Sequence, residues 1–187
     1  ARYTGGEWNS VTKDWDANPV RFALAYPDAY DIGMSNMGLG ILYDILNKRD
    51  GVLAERVYAP WEDMEAEIRR ERALLWGLEN RRPLREFDIV GFTLQYELTY
   101  SNVLNMLDLG GIPVRALDRS DDHPLVIAGG SGAFNPEPLS PFIDAFVLGE
   151  GEDAVVELAE RVAEWKRSRT PRATRLRELL AMPFQQQ

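Results

Sequence analysis

Four short apolar stretches, at residues 20–26, 89–94, 125–128 and 145–148, recur along the chain, each bounded by turn formers and followed by a helical pattern. Runs this short suit strands buried on both faces, and their alternation with helices predicts a parallel sheet with crossover helices. A fifth strand is expected at 55–59, ending at Pro60. Right-handed crossovers place helices on both faces of such a sheet. The expected architecture is therefore a Rossmann/flavodoxin-like three-layer α/β sandwich with a five-stranded, mainly parallel sheet.

The intervening helices carry their own punctuation. Residues 39–47 put Leu39, Leu42, Tyr43 and Leu46 on one face, and the pattern stops before Gly51, which suits a left-handed cap. Residues 62–72 are dense in Glu and Arg at helical spacing, the mark of a solvated surface helix with local ion pairs. Two more amphipathic helices are expected at 99–109 and 153–165, the latter with Val155, Val156, Leu158, Ala159 and Val162 at core positions. Residues 1–18 hold Trp8 and Trp15 without periodicity and read as an extended arm. The α/β domain proper is expected at 19–168, and 169–187 as a helix (173–182) or linker leading out of it, with Gln185, Gln186 and Gln187 as a frayed tail.

A chain of 187 residues with 45% hydrophobic content can bury one sizeable core. Its formal net charge of −9 repels phosphate backbones and anionic membrane surfaces, so no direct nucleic-acid or membrane partner is expected. The sequence has no cysteine, which excludes disulfides, thiolate metal sites and cysteine nucleophiles within these residues. No apolar run approaches the roughly 18 residues of a membrane span, and a cytoplasmic location is the simplest expectation.

Ligands of open α/β sheets bind beyond the carboxyl ends of the strands, which directs attention to four loops. The first supplies Gly33, Met34, Ser35, Asn36 and Met37 before Gly38, with Ser35 or Asn36 as a helix cap; it is neither a dinucleotide fingerprint nor a P-loop. The second presents Thr93, Gln95, Tyr96 and Glu97. The third bunches Gly129, Gly130, Ser131 and Gly132 before Phe134 and a proline-rich turn; such glycines mean that a ligand or another chain segment passes close to the backbone, and a ligand is favoured. The fourth holds Glu150 between Gly149 and Gly151 at a helix start. The single histidine, His123, falls at the opposite, amino edge, so no Ser-His-Asp set and no metal-ligand spacing is present, and no catalytic residue is assigned.

Read together, these loops resemble the N-terminal cobalamin-binding-type domain of a family of radical S-adenosylmethionine (SAM) proteins. The resemblance covers residues 2–180 and rests on Arg2-Tyr3-Thr4-Gly5-Gly6-Glu7, Tyr26-Pro27-Asp28, Gly33 to Gly38, Glu55-Arg56-Val57-Tyr58-Ala59-Pro60-Trp61, Gln95-Tyr96-Glu97-Leu98-Thr99-Tyr100, Asn135-Pro136-Glu137-Pro138 and Gly149-Glu150-Gly151-Glu152. It implies a module packed against a radical SAM barrel of the same parent chain, where a Cys-x3-Cys-x2-Cys motif would hold a [4Fe–4S] cluster that cleaves SAM. That motif is absent here, so the resemblance implies a module without catalysis of its own. It further implies cobalamin on the strand-end loops. Tyr30 stands where many such domains carry a cobalt-ligating histidine, so the cobalamin would be base-off without a His ligand. The resemblance equally admits a cofactor-free structural or substrate-gating module that docks the barrel.

Overall fold

The computed structural model describes residues 2–182. Five strands, β1 (Val20–Tyr26), β2 (Val52–Tyr58), β3 (Ile89–Thr93), β4 (Leu125–Gly129) and β5 (Ala145–Phe146), form one all-parallel sheet in the order β2-β1-β3-β4-β5. This is the flavodoxin-like order, with its reversal at the β1/β3 boundary. Six α-helices accompany them: α1 (Tyr30–Gly33), α2 (Met37–Asn47), α3 (Glu62–Glu71), α4 (Tyr100–Leu109), α5 (Gly151–Ser168) and α6 (Arg172–Leu180).

The strands bury both faces, so alternate residues divide between two cores. Val20, Phe22 and Leu24 of β1 pack with Leu39 and Leu46 of α2 and with Val155, Leu158 and Val162 of α5. Ala23 and Ala25 turn to the other face, with Ile68 of α3 and Val103, Met106 and Leu107 of α4. Chain order dictates this arrangement. The β1-to-β2 connection and the β2-to-β3 connection run in opposite directions across the sheet, so right-handed crossovers send α2 and α3 to opposite faces.

Strand and helix positions follow the sequence expectation, with two informative differences. β2 starts at Val52, earlier than the apolar pattern indicates, because Gly51 turns with φ +73° and its carbonyl accepts the Val20 amide at 3.1 Å. Glu55 and Arg56 interrupt the apolar run yet are buried, and their partners are distant in sequence: the Asn80 amide for one Glu55 oxygen, and Glu79 and Glu7 for Arg56. β5 shrinks to two residues because Val147 makes one more ladder bond, to the Ala128 carbonyl at 2.8 Å, before Gly149 turns away at φ +90°.

Residues 2–18 form no regular element and run beside the outer edge of β2. Lys13 Nζ donates to the Val52 carbonyl at 2.7 Å, while Asn47 both donates to and accepts from the Ala54 backbone. Side chains thus occupy the edge groups that would otherwise recruit another strand. Trp15 anchors the arm edge-on to Phe87 at 5.0 Å. The expected Gln185 to Gln187 tail lies outside the described residues.

Candidate functional site

Where the crossovers reverse, the loops after β1 and β3 separate and open a crevice at the carboxyl edge of the sheet. Asn36 Oδ1 accepts the Leu39 amide at 2.9 Å and so caps α2. Asp28 ties three strand ends together: its carboxylate accepts the Ala29 amide at 2.7 Å and the Tyr96 hydroxyl, and its carbonyl accepts the Ala59 amide at 3.0 Å. That hydrogen bond to Asp28, with burial second, pushes the Tyr96 phenol up to about 12. Tyr96 is therefore a neutral strut between the loops after β1 and β3.

A cleft of about 180 Å³ runs from this edge between the sheet and the α2/α5 layer. Its floor is Phe22, Leu24, Ile127 and Val147, and Leu42 and Val155 wall it from the helices. Glycines line much of the remainder, at Gly38, Gly91, Gly129, Gly130, Gly149 and Gly151, with Asn36, Thr93, Gln95 and Glu152 as its polar members. The chemistry is that of a slot for a flat, largely apolar group with a few hydrogen bonds at one end.

Five of the residues proposed from sequence line this cleft: Asn36, Thr93, Gln95, Gly129 and Gly130. The others stand around it. Met34, Met37 and Phe134 are exposed at its rim, and Tyr96 is tied to Asp28. Ser131 Oγ donates to the Gln95 carbonyl at 3.0 Å, joining the loops after β3 and β4. Glu97 opens a short 3-10 turn, and Glu150 takes the cap position of α5 without a side-chain capping bond. Gly33 faces inward, where a Cβ would come within 2.6 Å of the Tyr26 and Tyr58 rings.

The bunched glycines have distinct reasons. Gly130 has φ +95°, and a Cβ there would lie 2.6 Å from the Leu94 carbonyl oxygen, so the segment that passes close is the chain's own. Gly132 likewise abuts Leu94 and Tyr100. Gly129 differs: a Cβ would meet only Val147, at 3.6 Å, which leaves its space open to the cleft. The cleft's walls were not legible in sequence because Leu42 and Val155 belong to helices that reach the site only through the tertiary fold. The floor did carry a signal, since Phe22, Leu24 and Ile127 are alternate strand positions on one face.

Tyr30, at the head of α1, is buried. Its hydroxyl donates to Glu7 and its ring meets Tyr58 edge-on at 5.3 Å; burial first, then Glu7, pushes the phenol up to about 12. It anchors the arm and does not point into the cleft lining. A larger hollow of about 420 Å³ lies at the amino edge among Arg21, Asp88, His123, Lys166 and Arg175, where Asp88 pairs with Lys166 at 2.6 Å and His123 Nδ1 accepts the Ser120 amide at 3.0 Å. Among the described residues no group of His, Asp and Glu is placed to hold a metal ion, and no helix is long and apolar enough to cross a membrane.

The family described as radical SAM proteins, N-terminal, matches residues 38–185. The chain is also similar to the uncharacterized protein MJ0966 of Methanocaldococcus jannaschii, at 25% identity over 142 residues. That alignment covers 74% of this chain and 26% of the relative, so the chain spans about a quarter of the relative's length.

Proposed function

The chain belongs to the family of N-terminal regions of radical SAM proteins, and from that premise we propose that it is the cofactor-holding cap of a radical SAM enzyme, with cobalamin on its strand-end edge. The observation that carries this reading is the edge itself. A glycine-lined apolar cleft opens there, and the segments that follow β1, β3 and β4 carry the exposed apolar side chains Ile32, Met34, Met37, Tyr96, Leu98 and Phe134. Apolar side chains exposed together in this way mark a surface that another body covers. The partner is the radical SAM barrel of the parent chain, which would bring the cysteine-ligated [4Fe–4S] cluster and SAM, since this sequence has no cysteine.

The residues present fit part of cobalamin. A cleft of about 180 Å³ is smaller than the roughly 300–1,000 Å³ of a complete small-molecule site. It suits one flat ring system, such as the base at the end of the nucleotide tail, with the rest of the molecule on the open edge. Gly129 admits the tail against backbone, Thr93 and Gln95 offer a hydroxyl and an amide, and Met34, Met37 and Tyr96 supply apolar cover. No imidazole stands at this edge, and Tyr30 is committed to Glu7, so the chain offers no side chain there as a lower axial nitrogen ligand. When bound, cobalamin supplies a cobalt centre for methyl or electron transfer.

A second reading, a cofactor-free module that docks the barrel and gates its substrate, is favoured by the Tyr96–Asp28 hydrogen bond across the crevice. The two separate in one experiment on the full-length protein. Cobalamin added to it should survive desalting with a base-off visible spectrum. Gly129→Val, which fills the cleft without a left-handed backbone, should weaken binding at least about tenfold, roughly 1.4 kcal/mol, while leaving the melting temperature nearly unchanged. Wild-type protein that retains no cobalt would leave the cofactor-free reading.

A further inference from the structure

Trp8 is fully exposed, the most exposed of the large apolar side chains among the described residues, yet the turn that carries it is held on both sides. The Ser10 amide donates to the Glu7 carbonyl at 3.1 Å and Ser10 Oγ to the same oxygen at 2.9 Å, closing a turn with Trp8 and Asn9 at its tip. Before the tip, the Glu7 carboxylate accepts from the Tyr30 hydroxyl and from the Arg56 guanidinium, which Glu79 holds from behind at 2.8 Å. After it, the Val11 amide donates to the Tyr43 hydroxyl at 2.7 Å, and Lys13 Nζ donates to the Arg49 and Val52 carbonyls. A half-buried ion-pair network thus fixes a turn whose tip stabilises nothing in this domain.

We infer that Trp8 is a preorganised anchor for the radical SAM portion of the same polypeptide, inserted into an apolar pocket of that portion. A rigid aromatic side chain on a pinned turn loses little conformational freedom on binding, the property that makes tryptophan prominent among interface hot spots. Two observations point to an occupant within the same chain. The turn is fastened to α1 through Glu7 to Tyr30, and the arm before it through Arg2 to Asp31 at 2.6 Å, and α1 carries the exposed Ile32 and is followed by the exposed Met34. Trp8 is thus held, through Glu7 and Tyr30, to the segment that carries those two exposed apolar side chains. The family occupies the N-terminal part of longer proteins, and the relative above is about four times the length of the region it shares, so the parent chain supplies a large body to cover them. The inference rests on the docking reading proposed above and adds a specific anchor to it.

Hydroxyl-radical footprinting of the full-length protein tests it, with the denatured protein as the exposed reference and the buried Trp15 and Trp165 as internal standards. Trp8 should be modified about tenfold more slowly than in the denatured chain, as expected of a hot spot sealed from water, at every concentration at which the protein is a monomer. Rapid modification of Trp8 beside protected Met37 and Phe134 would overturn the anchor and leave barrel docking intact. Rapid modification of all three would overturn both. Protection that vanishes on dilution to the monomer would assign Trp8 to a second copy of the chain and overturn the inference.

Discussion

Glu55 is a fully buried carboxylate of β2 that no cation meets among the described residues. Its Oε2 accepts the Asn80 amide at 3.1 Å, Oε1 has no partner, and Gly77 leaves room for it: a Cβ at Gly77 would lie 2.1 Å from Oε2. Burial raises its pKa above the ordinary 4.5, only partly opposed by Asn80. An acid whose folded pKa is raised contributes stability that is full below the unfolded value and lost as pH rises through the folded value. Glu55→Gln removes that loss. The variant's unfolding free energy should therefore pull above wild type as pH rises from about 4.5 to neutrality, read by urea denaturation at a series of pH values; parallel curves would contradict the assignment. Glu7 carries the opposite sign. Burial works to raise it, but Tyr30 and Arg56 outweigh burial and hold it low, so the arm's tie to Tyr30 and Arg56 weakens on acidification. At this scale the sequence was least informative, because both carboxylates are explained by partners far along the chain that no local pattern announces.

Helix α6 shows how an element that reads as a linker becomes part of a domain. Its first residue, Arg172, is buried, and its Nη2 donates to Asp144 Oδ2 at 2.6 Å, while the Arg172 amide donates to Asp121. Asp144 also accepts the Val126 amide at 2.8 Å and faces Arg119 Nη1 at 3.1 Å. Arg119 in turn donates to the carbonyls of Pro113, Val114 and Phe142. At the far end Leu179 is buried, and Trp165 of α5 donates to Glu178 at 2.7 Å. One carboxylate thus compensates two buried guanidiniums and fixes the start of α6 against the sheet. Asp144→Asn leaves both charges without a counterion and should cost about 3–5 kcal/mol by urea denaturation; a loss below about 1 kcal/mol would show that the carbonyls suffice. The existence of α6 was legible from its spacing. Its attachment was not, since arginines near a proline read as a solvated exit.

Across the whole molecule, the parts legible in sequence were those set by short-range physics. Apolar runs gave strands, 3.6-residue spacing gave helices, and glycine-rich loops marked the edge at which the cleft opens. β1 occupies the expected 20–26 and β3 and β4 lie within a residue of expectation, because strands buried on both faces have no polar residues to blur them. The four loops were also found, and five of their residues line the cleft. Which glycine opens to the cleft and which faces Leu94 depends on contacts between loops after different strands, and only the fold decides it. The amino-edge hollow is larger but is walled by charged side chains partly paired with one another, whereas the strand-end cleft joins apolar walls, open glycines and an apolar rim. On the reading proposed above, this strand-end edge is the working face. Hydrogen–deuterium exchange of the full-length protein, with and without cobalamin, locates that face. Exchange should slow in peptides covering residues 33–38, 93–97 and 129–134 and stay unchanged at 118–124; protection confined to the amino edge, or none at the strand ends, would contradict that reading.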